Sequence, residues 1–249
     1  MAELLSVVII ARNAAAQLPD CLRSVAFADE VLVVDSGSDD DTVATAERAG
    51  ARVIYKEWLG FGPQKQFAVG QARHDWVLCL DADERVSPEL KSAITQTLAA
   101  PRYRAFDMPR RNRFMGRWLK HGEGYPDYNL RLFHRAHARW SDDAVHEHVI
   151  AATPVGRLRG DLLHESEVDI ATYLDKQNRY TSLQAHKMFA AGKRATIFNL
   201  VSNPLLRFVR MYLFRLGMLD GVPGLIHIGI GCFNTFIKYS KLRELQRRV

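Results

Sequence analysis

The sequence has few cysteines, and their arrangement excludes two kinds of scaffold. Only Cys21, Cys79 and Cys232 occur among the 249 residues. They lie far apart, match no zinc-site spacing, and would leave one thiol unpaired if the other two were bridged. The chain is therefore neither a disulfide-stabilised scaffold nor a zinc module, and we expect it to work in a reducing compartment.

The sequence also lacks an export signal and a long apolar run. Its first residues lead into an apolar segment without the basic stretch and small-residue cleavage site of a signal peptide. The longest uncharged run, residues 221–237, is about 17 residues long and contains Pro223, His227 and Asn234, so it is short for a membrane span. We expect a cytoplasmic protein in which this run is interfacial, re-entrant or simply packed.

Basic residues are concentrated near the C-terminal end. Residues 193–249 contain ten Lys and Arg against Asp220 and Glu244, so the remainder of this chain of net charge +6 is slightly acidic. The same segment carries large apolar residues such as Phe198 and Phe214. This combination is typical of binding to an anionic membrane surface, although a basic helical hairpin packed on its own domain would look similar. We favour a peripheral position on the inner face of the cytoplasmic membrane.

Apolar runs alternate with helix-like stretches through the first hundred residues, as in chains that form a parallel sheet covered by helices. After residue 101 the periodicity weakens, and Arg, Gly, His and aromatic residues crowd together as in a substrate-binding region. A later helix is predicted from Asp169 to Ala191. The four predicted strands are residues 6–11, 30–35, 52–56 and 76–81.

Local motifs predict where several helices begin and end. Ser38 with Asp41 three residues later resembles a capping box. Gly50 is predicted to follow the end of the helix that this box would begin. Ser87, directly before Pro88, is predicted to cap the start of another helix.

Polar residues stand at the ends of three predicted strands, where ligands bind in open α/β sheets. Among them, Asp81 and Asp83 would repel each other unless a cation lay nearby, and carboxylates of this kind hold Mg²⁺ or Mn²⁺ beside phosphorylated substrates. A solvated acidic turn is the alternative. The residues at the three strand ends are Arg12 and Asn13, Asp35 and Ser36, and Asp81 and Asp83.

The order and spacing of these motifs resemble family 2 glycosyltransferases. The matching stretches are SVVIIARN at 6–13, VVDSGS at 33–38 and LDADE at 80–84. WLGFGPQKQFA at 58–68 and VHE at 145–147 are similar to the subgroup that adds glucose to inner-core heptose of lipopolysaccharide.

The chain departs from the family pattern in two places. Where the family usually has Thr-Asp-Gly, this chain has Asp39, Asp40 and Asp41. The Gln-Xaa-Xaa-Arg-Trp motif of processive members is absent, which favours transfer of a single sugar.

The resemblance implies a GT-A fold, with a Rossmann-like, mostly parallel sheet and helices on both faces. We assign residues 1–192 to the catalytic domain, with a donor half at about 1–100 and an acceptor half at about 101–192. Residues 193–249 form a basic, amphipathic helical extension that associates with the membrane. The implied reaction is inverting, non-processive transfer of a hexose, glucose from UDP-glucose, to a heptose of the lipopolysaccharide core.

The resemblance also implies roles for individual residues. Asp35 would contact the uracil or ribose with Arg12 and Asn13 beside the base, and Asp81 would contact the ribose or a metal-bound water. Asp83 and His164 would hold a divalent metal, Mg or Mn, and Lys65 would reach the diphosphate from the start of a helix. The donor-binding set is Arg12, Asn13, Asp35, Ser36, Lys65 and Asp81.

The acceptor hydroxyl must lose its proton as it attacks, so the reaction needs a base. We choose Glu147, which lies between His146 and His148, with Asp142 and Asp143 as alternatives. A charged loop held by salt bridges would be the structural interpretation of this segment.

Arginines close to Asp107 suit a phosphorylated acceptor, because guanidinium groups bind phosphate bidentately. Arg110, Arg111 and Arg113 are therefore the predicted residues for a glycolipid acceptor. RNA would use a similar surface, but no nucleic-acid module is recognisable and we expect no nucleic acid. The other functions that remain open are sugar transfer to polyprenyl phosphate and a non-catalytic, nucleotide-sugar-binding membrane adaptor.

Overall fold

The computed structural model describes residues 2–143, 147–165 and 169–248. The chain forms two compact units. The first unit comprises Met1–Arg110 and Asp127–Glu165, and the second comprises Arg111–Pro126 and Ser166–Val249.

The first unit is built on the predicted parallel sheet, which is confirmed. Four strands lie in the order β3-β2-β1-β4 and run parallel to one another. Helices α1 (Leu18–Ser24), α2 (Thr42–Arg48), α3 (Phe61–Gln71) and α4 (Pro88–Ala99) follow or connect them. The strands are β1 (Leu5–Ala11), β2 (Glu30–Asp35), β3 (Arg52–Tyr55) and β4 (Trp76–Asp81).

Mostly antiparallel strands extend the sheet beyond β4, in a region whose sequence has no clear periodicity. Beyond β4 the order is β8-β6-β12-β5, β11 pairs with β6, and β9 and β10 form a separate ribbon. The β7 strand pairs with the end of β6 at residues 113 and 114. These strands are β5 (Glu84–Val86), β6 (Ala105–Phe114), β7 (Arg117–Trp118), β8 (Asp127–His134), β9 (Ala138–Trp140), β10 (Val149–Ala151), β11 (Val155–Arg157) and β12 (Leu162–His164).

The core of the first unit lies on both faces of the sheet. On β1, Val7 and Ile9 pack into one apolar cluster, and Val8 and Ile10 pack into the other. Successive side chains of a strand point to opposite faces, so a strand covered on both sides must be apolar throughout.

Two of the three predicted helix-end motifs are confirmed. The Ser87 hydroxyl accepts a hydrogen bond from the Leu90 N–H at the start of α4, and Gly50 follows α2 with φ +79°. The predicted capping box of Ser38 and Asp41 is wrong, because the Ser38 hydroxyl donates to the Asp35 carboxylate instead. Asp41 precedes α2 without a side-chain cap.

The second unit is helical in its long C-terminal part, residues 169–248. Its helices are α5 (Ile170–Ala190), α6 (Ile197–Phe208) and α7 (Gly221–Arg247). Asp169, the first residue of the predicted helix, caps α5 by accepting from the Thr172 N–H. A π-helical segment, Val209–Phe214, continues α6, and a 3₁₀ turn, Gly217–Asp220, precedes α7. No single helix in the described chain is long and apolar enough to cross a membrane; Ile197–Phe214 and Gly217–Arg247 pass only as a pair bent by 74°.

The compact units divide the chain elsewhere than at residue 192, the predicted end of the catalytic domain. Helix α5 belongs to the second unit because it packs along α7, where Ala185 and Leu242 are fully buried in one small apolar cluster. The segment Arg111–Pro126, which the sequence placed in the acceptor half, also belongs to the second unit.

Candidate active site

The register of the parallel strands brings the predicted polar residues to one edge of the sheet. Ala11 at the end of β1 pairs with Asp35 of β2, and Ile10 pairs with Asp81 of β4. Arg12 and Asn13 continue directly from β1, so all three strand ends meet at the same edge, as expected for a ligand site in this type of sheet.

The loop after β2 is fixed by hydrogen bonds to the Asp35 carboxylate. That carboxylate accepts from the N–H groups of Gly37 (2.9 Å) and Ser38 (3.0 Å) and from the Ser38 hydroxyl. The Asn13 N–H donates to the Ser38 hydroxyl at 2.9 Å, and the Asn13 side-chain oxygen accepts from the Asp39 N–H at 3.0 Å. The side chains of Asp35 and Asn13 therefore order the loop, while Arg12 is exposed beside it.

Ser36 is held by a residue that the sequence did not single out. The amide nitrogen of Gln64, which is fully buried, donates to the Ser36 hydroxyl at 3.0 Å and to the Lys56 carbonyl at 3.2 Å. The Gln64 oxygen accepts from the Leu59 N–H at 3.3 Å. A glutamine next to a lysine at the start of a predicted helix was the only available signal, and it did not distinguish Gln64 from a surface residue.

Lys65 joins two carboxylates that the sequence places 66 residues apart. Its ammonium group lies 3.0 Å from Asp81 Oδ1 and 3.2 Å from Glu147 Oε1, and its side chain is almost completely buried. The Trp140 ring lies under the same ammonium, 4.7 Å from its centre. Lys65, Asp81 and Glu147, predicted for three different roles, thus form one cluster.

Asp81 is clamped by a second cation, Arg131. The Arg131 Nη2 donates to Asp81 Oδ2 at 3.1 Å. Burial raises the pKa of Asp81, but the Lys65 ammonium and the Arg131 guanidinium outweigh it and hold this pKa far below its ordinary value. Asp81 is therefore an oriented anion at any physiological pH.

Arg131 is the main site residue that the sequence analysis missed. It lies on β8, and its Nη2 also donates to Glu84 Oε1 at 2.8 Å, while Glu84 Oε2 accepts from the Asp81 N–H at 3.0 Å. Burial lowers the pKa of Arg131, but the Glu84 and Asp81 carboxylates have the larger effect, so this pKa lies above its ordinary value. The available signal was a lone charge inside the apolar run LRLF, together with an acid directly after the Asp-Xaa-Asp motif.

A close backbone approach sets the position of Glu147. A methyl group at Gly62, near the start of α3, would collide with the Ser141 carbonyl oxygen and touch the Glu147 Cβ. Glycine at this position therefore allows α3, which carries Lys65, to lie against the segment that carries Glu147. The neighbouring Val145 and His146 lie outside the described residues.

The two alternative bases lie in a different environment. Asp142 is largely exposed and lies 3.5 Å from Arg139 Nη1, and Asp143 lies 3.6 Å from His148 Nδ1. Neither of these contacts involves the cluster of Lys65, and the choice of Glu147 as the base stays a prediction.

Asp83 and His164 meet across two paired strands. His164 of β12 pairs with Glu84, the first residue of β5, and the His164 Nε2 lies 3.2 Å from Asp83 Oδ2. An imidazole nitrogen and a carboxylate oxygen this close can ligate the same divalent cation. Within residues 2–143, 147–165 and 169–248 no group of three or more His, Cys, Asp and Glu side chains converges to hold a metal. The two residues thus fit a cation whose other ligands come from substrate and water.

The predicted acceptor arginines are engaged with neighbouring residues. Arg110 donates through Nε (3.1 Å) and Nη2 (2.8 Å) to Asp127 Oδ2, and its Nη1 lies 3.6 Å from Glu84 Oε1. In the second unit, the guanidinium of Arg111 lies over the Tyr125 ring and that of Arg113 lies over the Trp118 ring. Their predicted role in binding the acceptor stays a prediction.

Comparison with known proteins agrees with this architecture. The profile of "Glycosyl transferase family 2" matches residues 6–153. "Lipopolysaccharide core biosynthesis glycosyltransferase LpsC" of Rhizobium meliloti is 33% identical over 96% of this chain and 92% of that protein. An "Uncharacterized glycosyltransferase" of Rickettsia felis is 33% identical over 97% of this chain and 90% of its own length.

Solved structures of glycosyltransferases are also similar to part of the chain. A crystal structure of glucosyl-3-phosphoglycerate synthase from Mycobacterium tuberculosis, in complex with Mn²⁺, UDP and glucosyl-3-phosphoglycerate, has a TM-score of 0.39. Its sequence is 25% identical, and the match covers 45% of this chain and 44% of that one. The family profile, the relatives along the whole chain and the α/β sheet together confirm the expected GT-A architecture: the chain is a transferase and belongs to glycosyltransferase family 2.

Proposed function

We propose that this glycosyltransferase moves a hexose, glucose from UDP-glucose, with inversion onto a heptose of the lipopolysaccharide core. The observation that carries the proposal is the cluster of Lys65, Asp81 and Glu147 at the strand ends. In this cluster the buried Lys65 ammonium contacts both Asp81, which is assigned to the donor, and Glu147, which is assigned to the acceptor. The similarity to a relative named for lipopolysaccharide core biosynthesis supports the choice of acceptor.

Glu147 acts as the general base in this proposal. It accepts the proton of the acceptor hydroxyl as that oxygen forms a bond to the anomeric carbon, while the bond to the diphosphate breaks on the opposite side. Contact with Lys65 orients the carboxylate before the acceptor arrives. Because the acceptor attacks directly, inversion follows and no covalent enzyme intermediate is needed.

The donor is held by the ordered strand ends. Asp35, Ser36 and Asn13 shape the loop on which the base and ribose would lie, and Asp81 contacts the ribose. Asp83 and His164 would hold Mg²⁺ or Mn²⁺, and the metal would supply Lewis-acid stabilisation of the departing nucleoside diphosphate.

We propose that the reaction takes place at the inner face of the cytoplasmic membrane, because the acceptor is a glycolipid. The second unit supports this location, since large apolar side chains are exposed along α6 and α7. The anionic membrane surface and the glycolipid are thus the partners we propose besides the nucleotide sugar.

The test of function is release of UDP from UDP-glucose in the presence of Mn²⁺ or Mg²⁺ and defined core acceptors, with mass analysis of the product. A product heavier by one hexose, formed only with heptose-containing acceptors, is expected. Sugar transfer to polyprenyl phosphate would overturn the choice of acceptor. Binding of UDP-glucose without any product would make the chain a non-catalytic adaptor.

The metal assignment is tested by Asp83→Asn, with Asp142→Asn as the control because Asp142 is the more exposed carboxylate. Asp83→Asn should abolish the metal-dependent part of UDP binding in calorimetry and leave the unfolding curve unchanged, whereas Asp142→Asn should bind UDP like the unmodified chain. Near-normal turnover in excess EDTA would contradict the assignment.

A further inference from the structure

The exposed surface of α6 and the segments that follow it is strongly apolar. Helix α6 buries none of its residues, although its start is fixed by a capping box between Thr196 and Asn199. Phe198 is 76% exposed and Phe214 is 80% exposed. Large apolar residues on the surface of one short segment mark a site of interaction. The other exposed apolar residues here include Ile197, Val201, Leu205, Leu206, Val222 and Phe233.

Helix α6 carries one charged residue, Arg207, and this charge is neutralised by an acid of the same unit. Arg207 Nε donates to Glu123 Oε2 at 3.1 Å, its Nη2 contacts Glu123 Oε1, and its Nη1 donates to the Thr235 hydroxyl at 2.7 Å. A side chain at Gly231 of α7 would collide with the Glu123 carboxylate. Glycine at 231 therefore makes room for an ion pair that removes the Arg207 charge from the apolar surface.

Three polar residues in or just before the first half of α7 also contact other residues of the second unit. Asp220, fully buried before α7, accepts hydrogen bonds from the N–H groups of Lys120 (3.0 Å) and His121 (2.8 Å). His227 lies against the rings of Phe114 and Tyr173, and burial lowers its pKa, so it is neutral near pH 7. Asn234 donates to Gln177 of α5 at 3.0 Å.

Three of the five buried residues of α7 are small or polar. The five are Gly224, Ile228, Gly231, Thr235 and Leu242, while valine, leucine and phenylalanine side chains of the same helix are exposed. In water, burial of Phe and exposure of Gly and Thr would be the more stable arrangement. The opposite arrangement is stable where the surroundings are themselves apolar.

Two basic residues stand among these exposed apolar side chains. Arg210 is exposed in the π-helical segment, and Arg215 is half-buried just after it. An anionic lipid surface attracts arginine while its acyl chains accept phenylalanine and leucine, and a neutral protein partner offers no such combination.

We propose that α6, the π-helical segment and the first half of α7 form a wedge that inserts into an anionic lipid bilayer. Phe198 and Phe214 enter the boundary between headgroups and acyl chains, and Arg210 and Arg215 bind lipid phosphates. The proposal rests on the proposed membrane location and names the surface through which the enzyme meets its glycolipid. Its test involves no sugar transfer, so a failure of vesicle binding is distinguishable from a failure of the proposed transfer reaction.

The experiment is flotation of the full chain with vesicles of phosphatidylcholine containing phosphatidylglycerol, compared with phosphatidylcholine alone. Binding to the anionic vesicles should weaken with added salt and persist in part. Phe198→Ser with Phe214→Ser should weaken it on the order of tenfold or more, and Arg210→Gln with Arg215→Gln on the order of tenfold, the latter only on anionic vesicles. Leu4→Ser with Ile150→Ser, which alters exposed apolar residues of the first unit, should leave flotation unchanged.

UDP binding measured in parallel shows that each variant is folded. The proposal is overturned if the full chain ignores anionic vesicles at low salt, or if the phenylalanine pair can be replaced without effect. It is equally overturned if the apolar surface holds two copies together, that is, if the phenylalanine variant turns a dimer into a monomer and floats like the unmodified chain.

Discussion

The two units use charged and apolar residues in opposite ways. The first unit buries apolar side chains on both faces of its sheet and adds a buried ionic cluster of Lys65, Asp81 and Arg131 at the strand ends. The second unit exposes apolar side chains along α6 and α7 and holds a half-buried ion pair, Glu123 with Arg207.

The difference indicates that paired charges can have two unrelated purposes. Buried ion pairs contribute little net stability compared with apolar packing, so their presence needs another explanation. In the first unit the explanation is chemical, because the paired carboxylates are those proposed to act on substrate. In the second unit the explanation is the proposed lipid environment, because pairing with Glu123 neutralises Arg207 beside the surface that is proposed to contact lipid. Substitutions in each unit should therefore affect different measurements.

The largest effect is expected for Glu147→Gln, which removes the proton acceptor and keeps the size of the side chain. Turnover should fall on the order of 10² to 10⁴-fold, while the affinity for UDP should hardly change. Steady-state kinetics and calorimetry measure the two quantities. Asp143→Asn is the matched comparison, and if it proves far more damaging than Glu147→Gln, then the base is Asp143.

A smaller effect is expected for Lys65→Met, which keeps the length of the side chain and removes its charge. Loss of one partner from a buried pair costs several kcal/mol, but Asp81 retains Arg131 and Glu147 reaches solvent, so the free energy of unfolding should fall by about 2 kcal/mol. Turnover should fall as well. Urea unfolding of Lys65→Met beside the exposed Lys91→Met checks this, and equal curves for both variants would mean that the cluster is not a stabilising pair.

The smallest effect separates two glycines of α7. Gly229 has open space around it, so Gly229→Ala should raise the free energy of unfolding by about 1 kcal/mol through helix propensity. Gly231→Ala gains the same propensity but displaces Glu123 from Arg207, and a net loss of about 1 kcal/mol is expected. Urea unfolding compares the two, and both variants should keep UDP affinity. A stabilised Gly231→Ala would show that the ion pair adapts freely.

The sequence was sufficient to predict the parallel strands, because one physical rule applies to every residue in them. Strands β2 and β4 begin and end at the predicted residues, because a strand covered on both faces is apolar from end to end. The convergence of Asp35 and Asp81 followed from the same rule, since carboxyl ends of parallel strands share an edge. Helix α5 was also predictable from its periodicity and its start at Asp169.

Features that depend on distant partners were not predictable. Strand β6 contains Pro109 and several arginines, which pair with acids such as Asp127 only after the chain has folded back. A capping box needs the Ser38 hydroxyl to accept from the Asp41 N–H, but this hydroxyl instead donates to Asp35 and accepts from the Asn13 N–H. Lys65 was predicted to be a site residue, but its contact with Glu147 was not predicted. The two residues are 82 positions apart in the sequence, and no local pattern indicates which distant acid a lysine will contact.

The register of β1 has a consequence for how this enzyme tolerates insertions and deletions. Ala11 and Ile10 align β1 with Asp35 on one side and with Asp81 on the other, so one strand sets the positions of both donor carboxylates. A loop that carries no site residue, such as the one between α4 and β6, can vary in length, because the entropy of loop closure grows only slowly with loop length. Removal of a single residue within β1 would instead turn every later side chain to the opposite face and move Arg12 and Asn13 away from the edge that they share with both acids.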